Sequence, residues 1–218
     1  MQPITVTVGP LDAASANAIA LSQTTAGAAN LTLNGALVVD GVAVLDTPRR
    51  VLVTNVGNDS AVTFTVYGTT YGGAVVSEVL QGTNGSTVAS TVDFATVTRV
   101  AASAATSASG VTVGTNGVAA SRWVRFDSWA SPNVVFQIDV SGTVNYTVQT
   151  TMNDPNDPVS PTPIGSVTWF SSTDANVVGA STAKQSSFTN AFTFVRILLN
   201  SGSGTVTGTF AQFGVAPY

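Results

Sequence analysis

The sequence predicts an all-β protein made of two β-sandwich or jelly-roll/barrel-like domains of antiparallel strands, with almost no helix. Three observations lead to this prediction. Many segments alternate apolar and polar residues, turn residues separate these segments at intervals of roughly 8–12 residues, and only one segment has a composition that suits a helix. Short strands at such spacing are typical of β-sandwiches and barrels.

The clearest strand is Ile4–Val8 (ITVTV), whose β-branched residues place apolar side chains on one face and hydroxyls on the other. The same alternation predicts eight further strands: Arg50–Val56, Ala61–Tyr67, Ala74–Leu80, Thr96–Ala101, Val134–Val140, Thr143–Gln149, Phe192–Leu199 and Thr205–Phe213. Ser141-Gly142 separates two of them and predicts a short hairpin. The segment Leu11–Leu21 is rich in alanine but contains serine and asparagine, which favours a loop or a short helix.

A change in composition suggests two domains. Residues 101–121 are small and nearly free of aromatic side chains, whereas all three tryptophans, Trp123, Trp129 and Trp169, follow this segment. We therefore predict one β domain over 1–120 and a second over 121–218, joined by a small-residue connector near 115–121. Trp123 and Trp169 stand beside apolar strand residues, so we expect both to be buried in the core of the second domain.

The composition argues against an enzyme. The chain has no histidine, no cysteine, a single lysine (Lys184) and a single glutamate (Glu78). Histidine is the side chain that titrates near neutrality and the most common metal ligand, and thiolate sites and disulfides need cysteine. No general acid–base pair emerges from the residues that remain. We therefore predict no catalytic, cofactor-binding or metal-binding residues.

Charge and hydropathy also disfavour nucleic acid and membrane as partners. The net charge is −4, and only Arg49 and Arg50 form an adjacent pair of cations, whereas phosphate binding needs clustered lysine and arginine. No apolar run approaches the roughly 20 residues of a membrane span. The first residues lack the basic and apolar regions of a secretory signal, which predicts a soluble product made in the cytoplasm.

Three segments resemble sites of known chemistry, and each has a plainer interpretation. Ser181-Thr-Ala-Lys184 matches the S-x-x-K motif of serine β-lactamases, but the K-T-G partner needs a second lysine that the chain lacks. Asp154 and Asp157 could offer oxygens to calcium, although Asn-Asp-Pro is also favourable turn chemistry. The glycine-rich stretch at 202–208 lacks the spacing of a phosphate-binding loop.

Two arginines stand inside apolar strands, where an unpaired charge is costly. For Arg125 and Arg196 we expect pairing with Asp127, Asp139 or a backbone carbonyl, and the alternative is a bridge to a neighbouring subunit.

Several short segments of the sequence form a recognisable combination. In the first half they are PRRVLVTNVGNDSAVTFTVYGT, beginning at Pro48, and EVLQG, beginning at Glu78. In the second half they are WVRFD at Trp123, SPNV at Ser131, NYTVQTTMNDP at Asn145, FVRI at Phe194 and GTVTGTFAQ at Gly204. Together these segments resemble small virion proteins of tailed bacteriophages. The resemblance covers most of the chain from about Leu31 onward and carries no catalytic residue.

This resemblance implies a structural protein of the virion, made in the host cytoplasm. The first hypothesis is a capsid decoration (cement) protein that binds the major coat protein and forms a homo-oligomer, a dimer or trimer. The second is a head–tail connector, neck or tail component that binds neighbouring virion proteins. A different class is a carbohydrate-binding β-sandwich, in which Trp123, Trp129 and Trp169 would be stacking platforms for sugar rings.

Overall fold

The computed structural model describes residues 3–127 and 133–212. The protein is 58% strand and 3% helical, and its large sheets are antiparallel and form no closed barrel, which confirms the predicted all-β class. The helical part of the described residues is two short 3₁₀ turns, Ile164–Ser166 and Ala175–Val177. Trp129 and Phe213, two residues of the predictions above, lie outside the described residues.

The described strands, in chain order, are β1 (Ile4–Val8), β2 (Ser15–Gln23), β3 (Ala29–Leu31), β4 (Val38–Val39), β5 (Val42–Asn55), β6 (Thr63–Thr69), β7 (Val75–Gln81), β8 (Thr87–Ala102), β9 (Val111–Ala120), β10 (Val124–Arg125), β11 (Val134–Ser141), β12 (Val144–Thr151), β13 (Phe170–Ser171), β14 (Lys184–Phe188), β15 (Phe194–Gly202) and β16 (Thr205–Gln212).

The chain forms two compact units. The terminal unit combines Met1–Leu11 with Val118–Tyr218, and the middle unit is Asp12–Gly117. This division differs from the predicted one at the N terminus, because β1 pairs with β16 rather than with a strand of the first domain. Val6 and Val8 enter the core of the terminal unit, while Thr5 and Thr7 hydrogen-bond across the pair to Thr209 and Thr207.

The terminal unit is a β-sandwich. One sheet has the strand order β1-β16-β11-β14, and the other contains β13-β12-β15, with β10 and the end of β9 also paired to β15. The inward-facing side chains of the two sheets form one core, which includes Phe136, Ile138, Tyr146, Ile197 and Phe210. Every second residue of these strands points inward, as the alternating sequence pattern requires.

The predicted hairpin at Ser141-Gly142 is not formed. β11 and β12 belong to opposite sheets, so the Ser141–Val144 connection is an arch that crosses the core at one end of the sandwich. A second arch at Gly202–Gly204 joins β15 to β16 in the same way. The two arches touch, since the N–H of Gly204 donates to the carbonyl of Thr143 at 2.9 Å. A two-residue turn signal thus predicts that the chain reverses direction, but it does not predict whether the two flanking strands pair with each other.

The middle unit is built around β5 and β8. Strands β9, β5, β8, β6 and β7 are neighbours in that order, β2 pairs with β9, β3 with β8, and β4 with β5. Phe64, Val66, Phe94, Val97 and Val100 are among its fully buried side chains. β7 lies at the end of this order, and its pairing with β6 is regular along its whole length.

Two segments of the middle unit differ from expectation. Leu11–Leu21, expected as a loop or short helix, contributes most of β2, because its backbone finds tertiary partners: the N–H groups of Asn34 and Gly35 both donate to the carbonyl of Ile19. The boundary between the two units lies between Gly117 and Val118, within the predicted 115–121, but this segment is the end of strand β9 rather than a separate connector. Earlier in the same strand Gly114 has no room for a side chain, since a Cβ atom there would lie 1.9 Å from the carbonyl oxygen of Ser15.

The terminal unit contains a buried phenol whose ionisation is expected to destabilise it at alkaline pH. The Tyr146 ring is fully buried and its hydroxyl donates to the carbonyl of Thr182 at 3.0 Å. Burial raises the pKa of Tyr146 to about 12 from an ordinary value of 10.0. Because the folded pKa lies above the unfolded one, this stabilisation is complete below pH 10 and is lost as the pH rises toward 12.

We therefore expect the free energy of unfolding to fall between pH 10 and 12 more steeply in the wild type than in Tyr146→Phe, which has no phenol to ionise at this position. Urea unfolding at a series of alkaline pH values measures both slopes. Equal slopes would contradict the burial of an ionisable Tyr146.

Candidate interaction surfaces

The residues that suggested catalysis do not form a catalytic arrangement. Ser181 is an exposed loop residue, and Lys184 is the first residue of strand β14. The S-x-x-K mechanism places the serine at the start of a helix with the lysine one turn later, and neither residue lies in a helix. The glycine-rich stretch at 202–208 forms the second arch and the start of β16, and no helix follows it as far as Gln212, where the described residues end.

The two aspartates of the Asn153–Pro163 loop are used in local turns. The Asp157 carboxylate accepts the N–H groups of Val159 and Ser160, and these two backbone hydrogen bonds, that of Ser160 first, hold the pKa of Asp157 below its ordinary value. Asp154 accepts the N–H of Asn156. Across residues 3–127 and 133–212, no group of three or more His, Cys, Asp or Glu could hold a metal ion.

The two arginines make contacts beyond those expected. Arg125 donates from Nη2 to the Asp154 carboxylate at 2.6 Å, and this pair is half exposed on the arginine side. Arg196 is buried, donates from Nε to Oε1 of Gln149 at 2.9 Å, and places its guanidinium 4.3 Å above the ring of Trp169. Neither of these contacts involves Asp127 or Asp139.

The expectation that Trp123 and Trp169 lie in the core is wrong. Both are half-buried and lie outside the hydrophobic core of the terminal unit. Their rings meet edge to face at 5.0 Å, and Trp123 also contacts the ring of Phe194 at 5.7 Å. Sugar stacking needs an open ring face, and one face of Trp169 is covered by Arg196. This aromatic cluster links the loop before β13 to β15.

The only adjacent pair of cations is not a phosphate-binding surface. Arg49 is 1% exposed, forms an ion pair with Asp46 at 3.1 Å and donates from Nε and Nη2 to the carbonyl of Asn116. Arg50 lies 3.8 Å from Asp93. The first of these guanidiniums is thus a structural link between β5 and β9.

The middle unit presents a face of mostly short side chains, which we name the threonine face. It is the outer side of β8, β6 and β7, where Thr65 pairs with Ala101 on one side and Val79 on the other. Its members are Thr63, Thr65, Tyr67, Thr69, Val75, Ser77, Val79, Gln81, Arg99 and Ala101. Val75 and Val79 are 83% and 62% exposed. The one charged group in this set, the Arg99 guanidinium, lies 3.8 Å above the ring of Tyr67.

The single glutamate of the chain lies on the opposite side of β7. The Glu78 carboxylate accepts the N–H groups of Thr91 and Val92 and the hydroxyl of Thr91, at 2.8–3.0 Å. It therefore binds backbone donors of β8 where the pairing of β8 with β5 is irregular. The sequence pattern at 74–80 predicted the strand, but it did not show that its valines are exposed or that its carboxylate is engaged.

Comparison with models of protein families, with curated proteins and with solved structures yields no significant match. Among the described residues, no helix has the length and the hydropathy of a membrane span. The resemblance to phage virion proteins stays a prediction.

Proposed function

We propose that the protein is a non-enzymatic structural component of a tailed-phage virion, and that it acts as a decoration protein on the surface of the head. The observation that carries this proposal is the threonine face. It has mostly short side chains, exposes two valines and holds one cation. Large exposed surfaces with apolar residues and little charge mark sites of protein association.

The chemistry of this face suits a repeating protein lattice better than a small ligand. Ligand sites are concave and place a few convergent polar groups around the bound molecule, whereas the threonine face is the side of a regular sheet. A flat face with short side chains loses little side-chain entropy when it is covered, because threonine and valine have few rotamers to lose. Many weak copies of such a contact would add up on one particle through effective concentration.

The proposal predicts fragile heads in the absence of the protein. In a phage that encodes it, deletion of the gene should leave heads that assemble but release DNA at a lower temperature or on dilution, because the coat loses contacts that bridge its subunits. DNA release during heating measures the effect. Heads that stay as robust as wild type but fail to join tails would contradict decoration and support the head–tail alternative.

A matched pair of variants tests whether the threonine face is the binding surface. When purified protein is added to heads from the deletion phage, the double variant Thr63→Glu with Thr65→Glu should bind poorly, because it places two carboxylates on the threonine face. Thr207→Glu with Thr209→Glu makes the same change on β16, another half-exposed strand with neighbours on both sides, and should bind like wild type. Equal binding by the two double variants would exclude the threonine face as the head-binding surface.

A further inference from the structure

The edge of β7 has an open row of backbone hydrogen-bonding groups. The N–H of Thr70 donates to the carbonyl of Ala74, and the N–H of Gly82 donates to the carbonyl of Val62, each at 2.9 Å. Hydrogen-bonded pairs alternate along an antiparallel ladder, and this ladder has no register shift. The even-numbered residues of β7 therefore bond to β6, and Val75, Ser77, Val79 and Gln81 direct their N–H and C=O groups outward.

The usual protections of a sheet edge are missing here. Proteins blunt open edges with lysine, proline, bulges, charged side chains or a covering segment. β7 contains no lysine or proline and has no bulge. Within the described part of the chain no strand pairs with its outer edge. Its one charge, Glu78, is already bound to Thr91 and Val92.

We propose that this edge binds the β7 edge of a second copy of the chain, antiparallel and centred on Ser77. In that register, Ser77 lies opposite Ser77 of the other copy, and Val75 lies opposite Val79. All these residues carry outward groups, so the three pairs form six backbone hydrogen bonds. The exposed valines also meet as cross-strand pairs, which stabilise antiparallel sheets.

Charge disfavours one of the two neighbouring registers. Centring the pair on Glu78 would also match outward groups, but it would place the two glutamates directly opposite each other, which is destabilising. Centring on Ser77 places each Glu78 opposite Val76, an apolar neighbour. The resulting dimer has two-fold symmetry and is closed, so it does not extend into a fibre. This inference does not depend on the proposed virion role, and its test uses the purified protein alone.

A cysteine at the symmetry axis tests the register. The chain has no cysteine, so Ser77→Cys introduces one thiol per copy. In a hydrogen-bonded antiparallel pair the Cα atoms are about 5.5 Å apart, within the range of a disulfide, and mild oxidation should give a covalent dimer. Gln81→Cys is the control, because its two copies would lie about 27 Å apart along the strands and should stay uncrosslinked. Efficient crosslinking of Gln81→Cys, or none of Ser77→Cys, would overturn the register.

Sedimentation of the unmodified protein tests the dimer itself. At about 100 µM, where contacts of modest area associate, the wild type should sediment at twice the 22.0 kDa mass of the chain. Val79→Lys should raise the dissociation constant of the dimer at least about tenfold, because a lysine on a strand edge blocks pairing and the two-fold symmetry places two such lysines in the interface. Val79→Pro should act likewise, since it removes an outward N–H and leaves the bonds to β6.

Thr65→Lys is the matched control. It adds the same charge to the threonine face beside Val79, but on β6, whose backbone is already paired on both sides. It should dimerise like wild type, and circular dichroism shows whether each variant keeps its strand content. A wild type that sediments as a monomer, or a dimer that Val79→Lys and Val79→Pro leave intact, would overturn the proposal.

Discussion

Replacing Gly204 with alanine is expected to destabilise the terminal unit by about 3 kcal/mol, near the upper end of the usual cost of overpacking. A Cβ atom at Gly204 would lie 2.3 Å from the carbonyl oxygen of Ser141, 2.8 Å from Cγ1 of Val144 and 2.9 Å from the carbonyl carbon of Gly142. Two of these are backbone atoms of the other arch, so no side-chain rotation relieves the clash. The arches would have to separate, and the hydrogen bond from Gly204 to Thr143 would be lost.

Gly117→Ala is the matched control for this prediction. It makes the same chemical change in strand β9, where an added Cβ meets no atom within 4 Å, so we expect a change within about 0.5 kcal/mol. Urea unfolding followed by circular dichroism measures both variants. If Gly204→Ala unfolds at the wild-type urea concentration, the two arches are not packed against each other as described.

The second large effect is expected at Asp59, whose side chain is 1% exposed. Its carboxylate accepts the Nδ2–H of Asn55 at 3.0 Å and both the N–H and the hydroxyl of Ser107, at 2.6 and 3.2 Å. Asn55 is buried as well, and its Oδ1 accepts the N–H of Thr83 at 3.0 Å. One buried carboxylate thus connects three loops of the middle unit through hydrogen bonds.

Asp59→Ala should destabilise the middle unit by about 4 kcal/mol, because it leaves a buried donor of Asn55 and partly buried donors of Ser107 without an acceptor, and each hydrogen bond to a charged group contributes roughly 1.5–3 kcal/mol. Asp59→Asn should lower the free energy of unfolding by less than Asp59→Ala, because the amide keeps one acceptor oxygen. It should still be less stable than the wild type, because its amide hydrogens face another donor. Chemical denaturation measures the series.

Asp157→Ala serves as the reference for charge, because it also removes one carboxylate but from an exposed turn that accepts only local N–H groups. We expect its unfolding curve to lie close to that of the wild type. If Asp59→Ala lowers the free energy of unfolding by no more than Asp157→Ala does, the buried network does not stabilise the middle unit.

The sequence predicted the positions of the strands more accurately than the contacts of the candidate site residues. Ile4–Val8 is a strand with the residue limits that its alternation predicted, and the alternation at 61–67 and 74–80 predicted β6 and β7 to within two residues. β2 and β9 were missed, because alanine and glycine carry little apolar signal and their burial follows from close contact with each other. The residues Gly57-Asn58-Asp59 are typical of a turn, and nothing in this local sequence shows that Ser107 and Asn55 enclose the carboxylate.

By itself the sequence determined the all-β class, because alternation and turn residues are local properties that act on each segment separately. Only the tertiary structure decided which strands pair. It placed β1 with β16, turned the expected hairpin into an arch between two sheets, and moved Trp123 and Trp169 to a half-buried cluster outside the core. It also decided that Val75 and Val79 are exposed, although they alternate like the valines of buried strands. The physical reason is that alternation gives a strand two different faces, while its partners depend on contacts between residues far apart in the chain.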